Sequence, residues 1–211
     1  MLDFIRIACA VPAVRVGDTA KNAEDICAYI EKADGERADI VLFPELALTG
    51  YSCQDLFFQD TLWTGVQQGI RKIADCTKDH PNITAVVGLP VRTGMRLYNC
   101  AAVISRGKIH ALVPKTYIPN YNEFYEKRWF TSACEVSETT ARLCGQIVPM
   151  GRNLLFETAD TTFGIEICED LWAPIPPSSS LALQGAEILF NLSADNEGIG
   201  KHAYLRSLIS Q

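Results

Sequence analysis

Residues 38–45 read Ala-Asp-Ile-Val-Leu-Phe-Pro-Glu, and this stretch decides the class of fold. Positions 38–43 form a short, nearly continuous apolar run of the kind found in a strand covered on both faces. Upstream, residues 2–11 (LDFIRIACAV) alternate and then run apolar, as a strand with one well-buried face does. Between the two, Asp18-Thr19 offers a helix N-cap, Ala23, Ile26, Cys27 and Ile30 recur at helical spacing, and Gly35 supplies a stop. Strand, helix, strand is the opening of an α/β fold.

Further along, Leu62, Val66, Ile70, Ile73 and Ala74 predict a helix within 60–80, ended by His80-Pro81. Residues 84–91, 98–105 and 108–113 read as strands, the last two joined by a tight hairpin at Arg106-Gly107, and they extend the sheet antiparallel. A second hairpin is expected from 153–158 and 161–168, then a helix over 180–185 and a strand over 187–193. The biased stretch 173–180 reads as a loop leading into a helix N-cap. Residues 201–211 begin an amphipathic helix without a C-terminal cap, so the native chain is expected to continue. The pattern is a mixed sheet with helices between strands.

At 211 residues, 48% hydrophobic and 21% charged, the chain suits one globular domain. A net charge of -6 with scattered Lys and Arg gives no basic field for nucleic acid. No apolar run approaches the roughly 18 residues of a membrane span, and the start lacks a signal-peptide pattern, so a cytoplasmic location is expected. Eight cysteines occur without a CxxC, and seven of them read as structural thiols in apolar stretches. With only His80, His110 and His202, no metal-ligand spacing appears, and no metal is expected in this chain.

Three residues stand directly after predicted strands. Glu45 follows Phe43-Pro44, where apolar neighbours would keep a carboxylate poorly solvated and useful as a base; a surface Glu capping a turn is the plainer reading. Lys115 follows Val113-Pro114 among many aromatics, where an ammonium can meet negative charge on a substrate oxygen, although strand-end lysines are usually solvated. Cys168 ends the alternating run 161–168, with Phe163, Ile165 and Ile167 on one face and Gly164, Glu166 and Cys168 on the other. It reads as a presented nucleophile beside free backbone N–H groups, or as a core thiol. A base, a cation and a thiol at one sheet edge are what amide hydrolysis through a thioester requires.

Phe-Pro-Glu-Leu (43–46) with Thr-Gly-Tyr (49–51), Pro-Lys (114–115) with Glu-Phe-Tyr-Glu-Lys-Arg-Trp-Phe (123–130), and Ile-Cys-Glu-Asp-Leu-Trp (167–172) resemble the nitrilase (carbon-nitrogen hydrolase) superfamily. Within it, the last two stretches and Asn-Leu-Ser-Ala-Asp-Asn-Glu-Gly-Ile-Gly-Lys (191–201) are similar to the N-terminal glutaminase domains of the glutamine-dependent NAD(+) synthetase family, across essentially the whole chain. The resemblance implies a four-layer α-β-β-α sandwich, with Glu45 as general base, Lys115 as oxyanion stabiliser and Cys168 as nucleophile. It assigns Glu123 to the second glutamate that orients the lysine. It implies that Tyr51, Tyr121, Phe124 and Glu169 surround the amide substrate, L-glutamine, and that Lys201 meets its carboxylate.

Asp195 departs from the family, standing where a small Ser is common; an anion there binds the α-ammonium of glutamine or repels its α-carboxylate. The resemblance further implies that residues 1–211 are one amidohydrolase domain, incomplete at its C-terminus. It needs no cofactor of its own, and ATP and Mg belong to a synthetase domain of the same polypeptide outside this chain. A homo-oligomer is expected by the same resemblance. Competing readings are a stand-alone amidase acting on another small amide or nitrile, a papain-like hydrolase with a histidine base, and a non-catalytic assembly module.

Overall fold

A computed structural model describes residues 4–210. Strands β1 (Ile7–Cys9), β2 (Ile40–Leu42), β3 (Thr84–Thr93), β4 (Arg96–Ser105) and β5 (Lys108–Pro114) form one sheet in that order. The first three run parallel, and β4 and β5 add antiparallel. Helix α1 (Thr19–Gly35) starts where Asp18 accepts the Lys21 N–H at 3.0 Å, as an N-cap should. It packs beside α2 (Asp60–Cys76) on one face of the sheet. Ile26, Ile30, Val66, Ile70 and Ile73 there meet Val41, Val87 and Leu89, all removed from water.

After the small hairpin β6 (Thr140–Leu143) and β7 (Gln146–Pro149), a second sheet is built from β8 (Leu155–Glu157), β9 (Thr162–Ile167) and β10 (Ile188–Leu192), ordered β10-β9-β8. Its inward residues Phe163, Ile165, Ile167, Phe190 and Leu192 close against Ile40, Val86, Ala101, Val103 and Val113 of the first sheet. Helix α3 (Pro177–Leu183) covers the far face, with Leu181 so close to Gly164 that a Cβ there would lie 2.9 Å from its Cδ1. Helix, sheet, sheet, helix is the expected α-β-β-α sandwich. Helix α4 (Lys201–Ile209) follows β10.

Several expectations shift. The 2–11 strand shortens to Ile7–Cys9, with residues 2–3 outside the described residues. The helix predicted within 60–80 ends at Cys76, where the Thr77 hydroxyl donates to Ala74 O at 2.7 Å. The helix after 173 starts on Pro177, a residue pre-set for the first helical position, rather than on a serine cap. Cys9 and Cys134 are exposed and do not behave as core thiols. The β6–β7 hairpin was not expected. Its turn, Cys144-Gly145, has φ of 51° and 79°, matching the 51° and 77° of Arg106-Gly107, so both use the same left-handed pair that suits sheet twist.

Candidate active site

Glu45 lies in a turn folded back over β3. Leu48 N donates to Gly88 O at 3.1 Å, and a Cβ on Gly88 would fall 2.4 Å from both Pro44 O and Leu46 N. Glycine alone leaves room for that crossing. The Glu45 carboxylate is consequently buried. Its Oε1 accepts from Lys115 Nζ at 2.7 Å and from Asn99 Nδ2 at 2.6 Å, and its Oε2 accepts from Ala194 N at 3.1 Å.

Lys115 continues β5 and has no exposed surface. Its ammonium also donates to Glu126 Oε1 at 2.8 Å and Oε2 at 3.1 Å, and Tyr51 OH donates to the same Oε1 at 2.7 Å. Burial works against this charge, but Glu45 and then Glu126 outweigh it and hold Lys115 above the usual lysine range. Glu126 is raised, by burial first and Glu45 second, with Lys115 pulling the other way.

Here one expectation is corrected: the second glutamate is Glu126, not Glu123. Glu123 is exposed and accepts from Asn196 Nδ2, away from the lysine. The chain folds back through Glu126 N to Pro119 O at 3.2 Å, and a short 3-10 turn at Glu126–Arg128 aims the Glu126 carboxylate inward. Both glutamates lie in one sequence stretch, and only this fold-back separates them.

Cys168 follows β9 at φ 46°, in the left-handed region. Strict alternation would set it beside Gly164 and Glu166, which face α3. The turn breaks that alternation and swings Cys168 into the seam with Ile165 and Ile167. Its Sγ accepts from Ser193 Oγ at 3.3 Å, and its carbonyl accepts from Asn191 Nδ2 at 3.4 Å. Burial, then Glu45, pushes the thiol up to about 12, against the opposing pull of Lys115 and Ser193. At neutral pH it is a thiol and needs a base to become a nucleophile.

Asp170 ties the strand ends together. Its buried carboxylate accepts from Thr116 N at 3.0 Å, Tyr117 N at 2.7 Å and Ile167 N at 3.0 Å. The residues after Lys115 and before Cys168 are thereby fastened to one group. Burial drives the Asp170 carboxyl up to about 7 in spite of those donors.

A cavity of about 250 Å³ opens on Cys168. Tyr121, Phe124, Glu169, Asp195 and Lys201 line it, together with Trp172, which sequence reasoning had not singled out. Tyr121 OH donates to Glu169 at 2.8 Å. Lys201 Nζ pairs with Asp195 at 2.5 Å, donates to Asn196 Oδ1 at 2.6 Å and sits 5.6 Å from the Trp172 ring centre. Tyr51 does not line this cavity; it stands behind Phe124, bonded to Glu126. His80 is paired with Asp34 and His110 with Ser105, and His202 is exposed. Among the described residues no histidine is bonded to the thiol, which removes the basis for a papain-like reading.

Residues 6–207 match the family model described as carbon-nitrogen hydrolase. The chain belongs to the carbon-nitrogen hydrolase family. Carbon-nitrogen hydrolase membership makes this chain an enzyme of C–N bond cleavage, and its site holds a buried cysteine, carboxylate and lysine. It is 37% identical over 201 residues to the glutamine-dependent NAD(+) synthetase of Mycobacterium tuberculosis (strain ATCC 25618 / H37Rv), covering 94% of this chain and 29% of that protein. The corresponding protein of Xylella fastidiosa (strain 9a5c) is 36% identical over 212 residues, covering 100% and 35%. The carbon-nitrogen hydrolase chain thus spans about a third of the length of the curated relatives it matches.

Among solved structures, the glutamine-dependent NAD(+) synthetase from Cytophaga hutchinsonii superimposes with a TM-score of 0.82 at 30% identity, over 97% of this chain and 33% of that one. An amidase of the nitrilase superfamily from Nesterenkonia AN1 shares the fold, with a TM-score of 0.74 at 17% identity over 96% and 70%. No helix among the described residues is long and apolar enough to cross a membrane.

Proposed function

We propose that residues 1–211 form a glutamine amidohydrolase domain that releases ammonia from L-glutamine through a glutamyl thioester on Cys168. The observation that carries this reading is the buried contact set in which Lys115 is shared between Glu45 and Glu126 while Cys168 forms the wall of a charged cavity. The likeness to glutamine-dependent NAD(+) synthetases supports glutamine as the amide.

Glu45 takes the Cys168 proton as the sulfur attacks the side-chain carboxamide. Lys115 and a backbone N–H beside Glu169 stabilise the oxyanion, and Glu126 keeps the lysine aimed. The proton returns through Glu45 to the departing nitrogen, and ammonia leaves. Glu45 then deprotonates a water that opens the thioester, freeing glutamate and restoring the thiol. A zwitterionic amino acid needs charged partners at both ends; Glu169 suits its ammonium and Lys201 its carboxylate. A neutral amide would need neither, which speaks against a stand-alone amidase of simple amides.

The same likeness supports a cytoplasmic protein in which a synthetase domain of the same polypeptide, using ATP and Mg, consumes the ammonia to convert deamido-NAD into NAD. The test is incubation with a diazo-ketone analogue of glutamine, followed by mass spectrometry. An adduct at Cys168, blocked by glutamine and lost in Glu45→Gln, is expected. An adduct on another cysteine with Cys168 untouched overturns the assignment.

A further inference from the structure

Along β4, Val103 and Ala101 belong to the apolar seam between the two sheets. The next position on that face is Asn99, an amide with 1% exposure. Its Nδ2 donates to Glu45 Oε1 at 2.6 Å, the oxygen that Lys115 Nζ also holds at 2.7 Å. Its backbone carbonyl accepts from Lys115 N at 2.8 Å. One residue therefore grips the carboxylate with its side chain and the lysine with its main chain.

The other half of the amide is left over. Asn99 Oδ1 is buried and has no partner. Turning the amide round would not help, because it would press a carbonyl oxygen against a carboxylate oxygen. A buried acceptor without a donor is a standing cost, and an aliphatic side chain of the same shape would avoid it. What asparagine supplies that an aliphatic side chain cannot is the bond to Glu45.

We propose that Asn99 is a positioning residue for the general base. With Asn99 and Lys115 both donating to Oε1, that oxygen is occupied, and the thiol proton is received on Oε2. Oε2 is the oxygen met by Ala194 N, in the segment whose neighbouring Ser193 touches Cys168 Sγ. The inference rests on Glu45 acting as the base, and it concerns which of its two oxygens does the work.

The test compares wild type, Asn99→Leu, Asn99→Asp and Glu45→Gln. Three quantities are read: melting temperature, kcat and KM for glutamine, and the rate of Cys168 alkylation by iodoacetamide, located by mass spectrometry. Asn99→Leu removes the unpaired acceptor together with a donor to the buried carboxylate, so its melting temperature is expected to stay within a few degrees of wild type. Its kcat should nevertheless fall roughly 10- to 100-fold with KM changed less than about threefold, the signature of a misplaced catalytic group. Alkylation should slow in parallel. Asn99→Asp, close in shape but setting a second carboxylate against Oε1, should lose more kcat than Asn99→Leu.

A folded Asn99→Leu with kcat and alkylation within about twofold of wild type overturns the proposal. So do kcat losses that merely track melting temperature in both variants. Alkylation slowed by Glu45→Gln but not by Asn99→Leu overturns the role of Asn99 and leaves the base in place. Alkylation indifferent to both overturns the base as well. If glutamine is not turned over while alkylation still depends on Asn99, the substrate reading fails and the positioning role stands.

Discussion

Glu45 and Lys115 meet at 2.7 Å with both side chains fully removed from solvent, although 70 residues separate them in sequence. A pair so enclosed costs desolvation on both sides, and the lysine is what makes two neighbouring carboxylates tolerable. Lys115→Met leaves Glu45 and Glu126 facing each other without a cation. A loss of about 3–5 kcal/mol is expected in urea unfolding, together with loss of Cys168 labelling. Adding Glu126→Gln to the same chain should recover part of that stability and none of the labelling.

The two glutamates of the 123–130 stretch should separate cleanly in kinetics. Glu126→Gln weakens the hold on the Lys115 ammonium and on Tyr51 OH, so kcat should drop by roughly 10-fold or more. Glu123→Gln alters a contact with Asn196 at the rim of the cavity and leaves Lys115 untouched, so any effect should fall on KM, with kcat within about threefold. Steady-state kinetics on the two variants decides; the reverse ranking would return the role to Glu123.

Asp170 makes stability depend on pH. Its carboxyl is raised from an ordinary value of 3.8 to about 7, so between these limits the folded chain holds a proton that the unfolded chain has released. Its contribution is fully present below the unfolded value and is lost as pH rises through the folded one, by no more than about 1.4 kcal/mol per pH unit. Asp170→Asn should flatten the wild-type slope of stability against pH across that window. Unfolding curves at several pH values test this, and parallel slopes for the two proteins would rule it out.

Gly88→Ala probes the turn that carries Glu45. The added methyl group would overlap Pro44 O and Leu46 N, so the turn must lift. A loss of about 1–3 kcal/mol is expected, with a larger proportional loss of turnover because the carboxylate moves with the backbone. Thermal melts and kcat on one sample are sufficient.

The proposed pairing of Lys201 with the carboxylate of glutamine has a direct test. Lys201→Met should raise KM for glutamine about 10-fold or more, the scale of one charge-assisted hydrogen bond, with kcat nearly unchanged. Turnover of a primary amide lacking the α-carboxylate should not respond. Equal effects on the two substrates would show that Lys201 supports the loop instead of the ligand.

The layers of this fold were legible because its strands and helices announce themselves. The run 38–43, the helical spacing of Ala23 to Ile30 and the Arg106-Gly107 turn each became the predicted element. Cys144-Gly145 carried the same turn signal and went unread, because the flanking strands are only four residues long. Glu45, Lys115 and Cys168 were singled out from their places after strands, and the structure joins Glu45 to Lys115 at 2.7 Å.

The supporting residues were harder to see. Asn99 could have been suspected as a polar residue set between Leu97 and Ala101 in the middle of the inward row of β4. Glu126 could not be chosen over Glu123 without the fold-back at Pro119, and Cys168 changed faces because its φ is positive, which no side-chain pattern records.

The bond from Ala194 N to Glu45 Oε2 spans 149 positions. Until β10 has docked beside β9, the Glu45 carboxylate lacks one of its donors and the Cys168 thiol lacks Ser193, so the surroundings of both groups are completed by a strand that follows them in the chain.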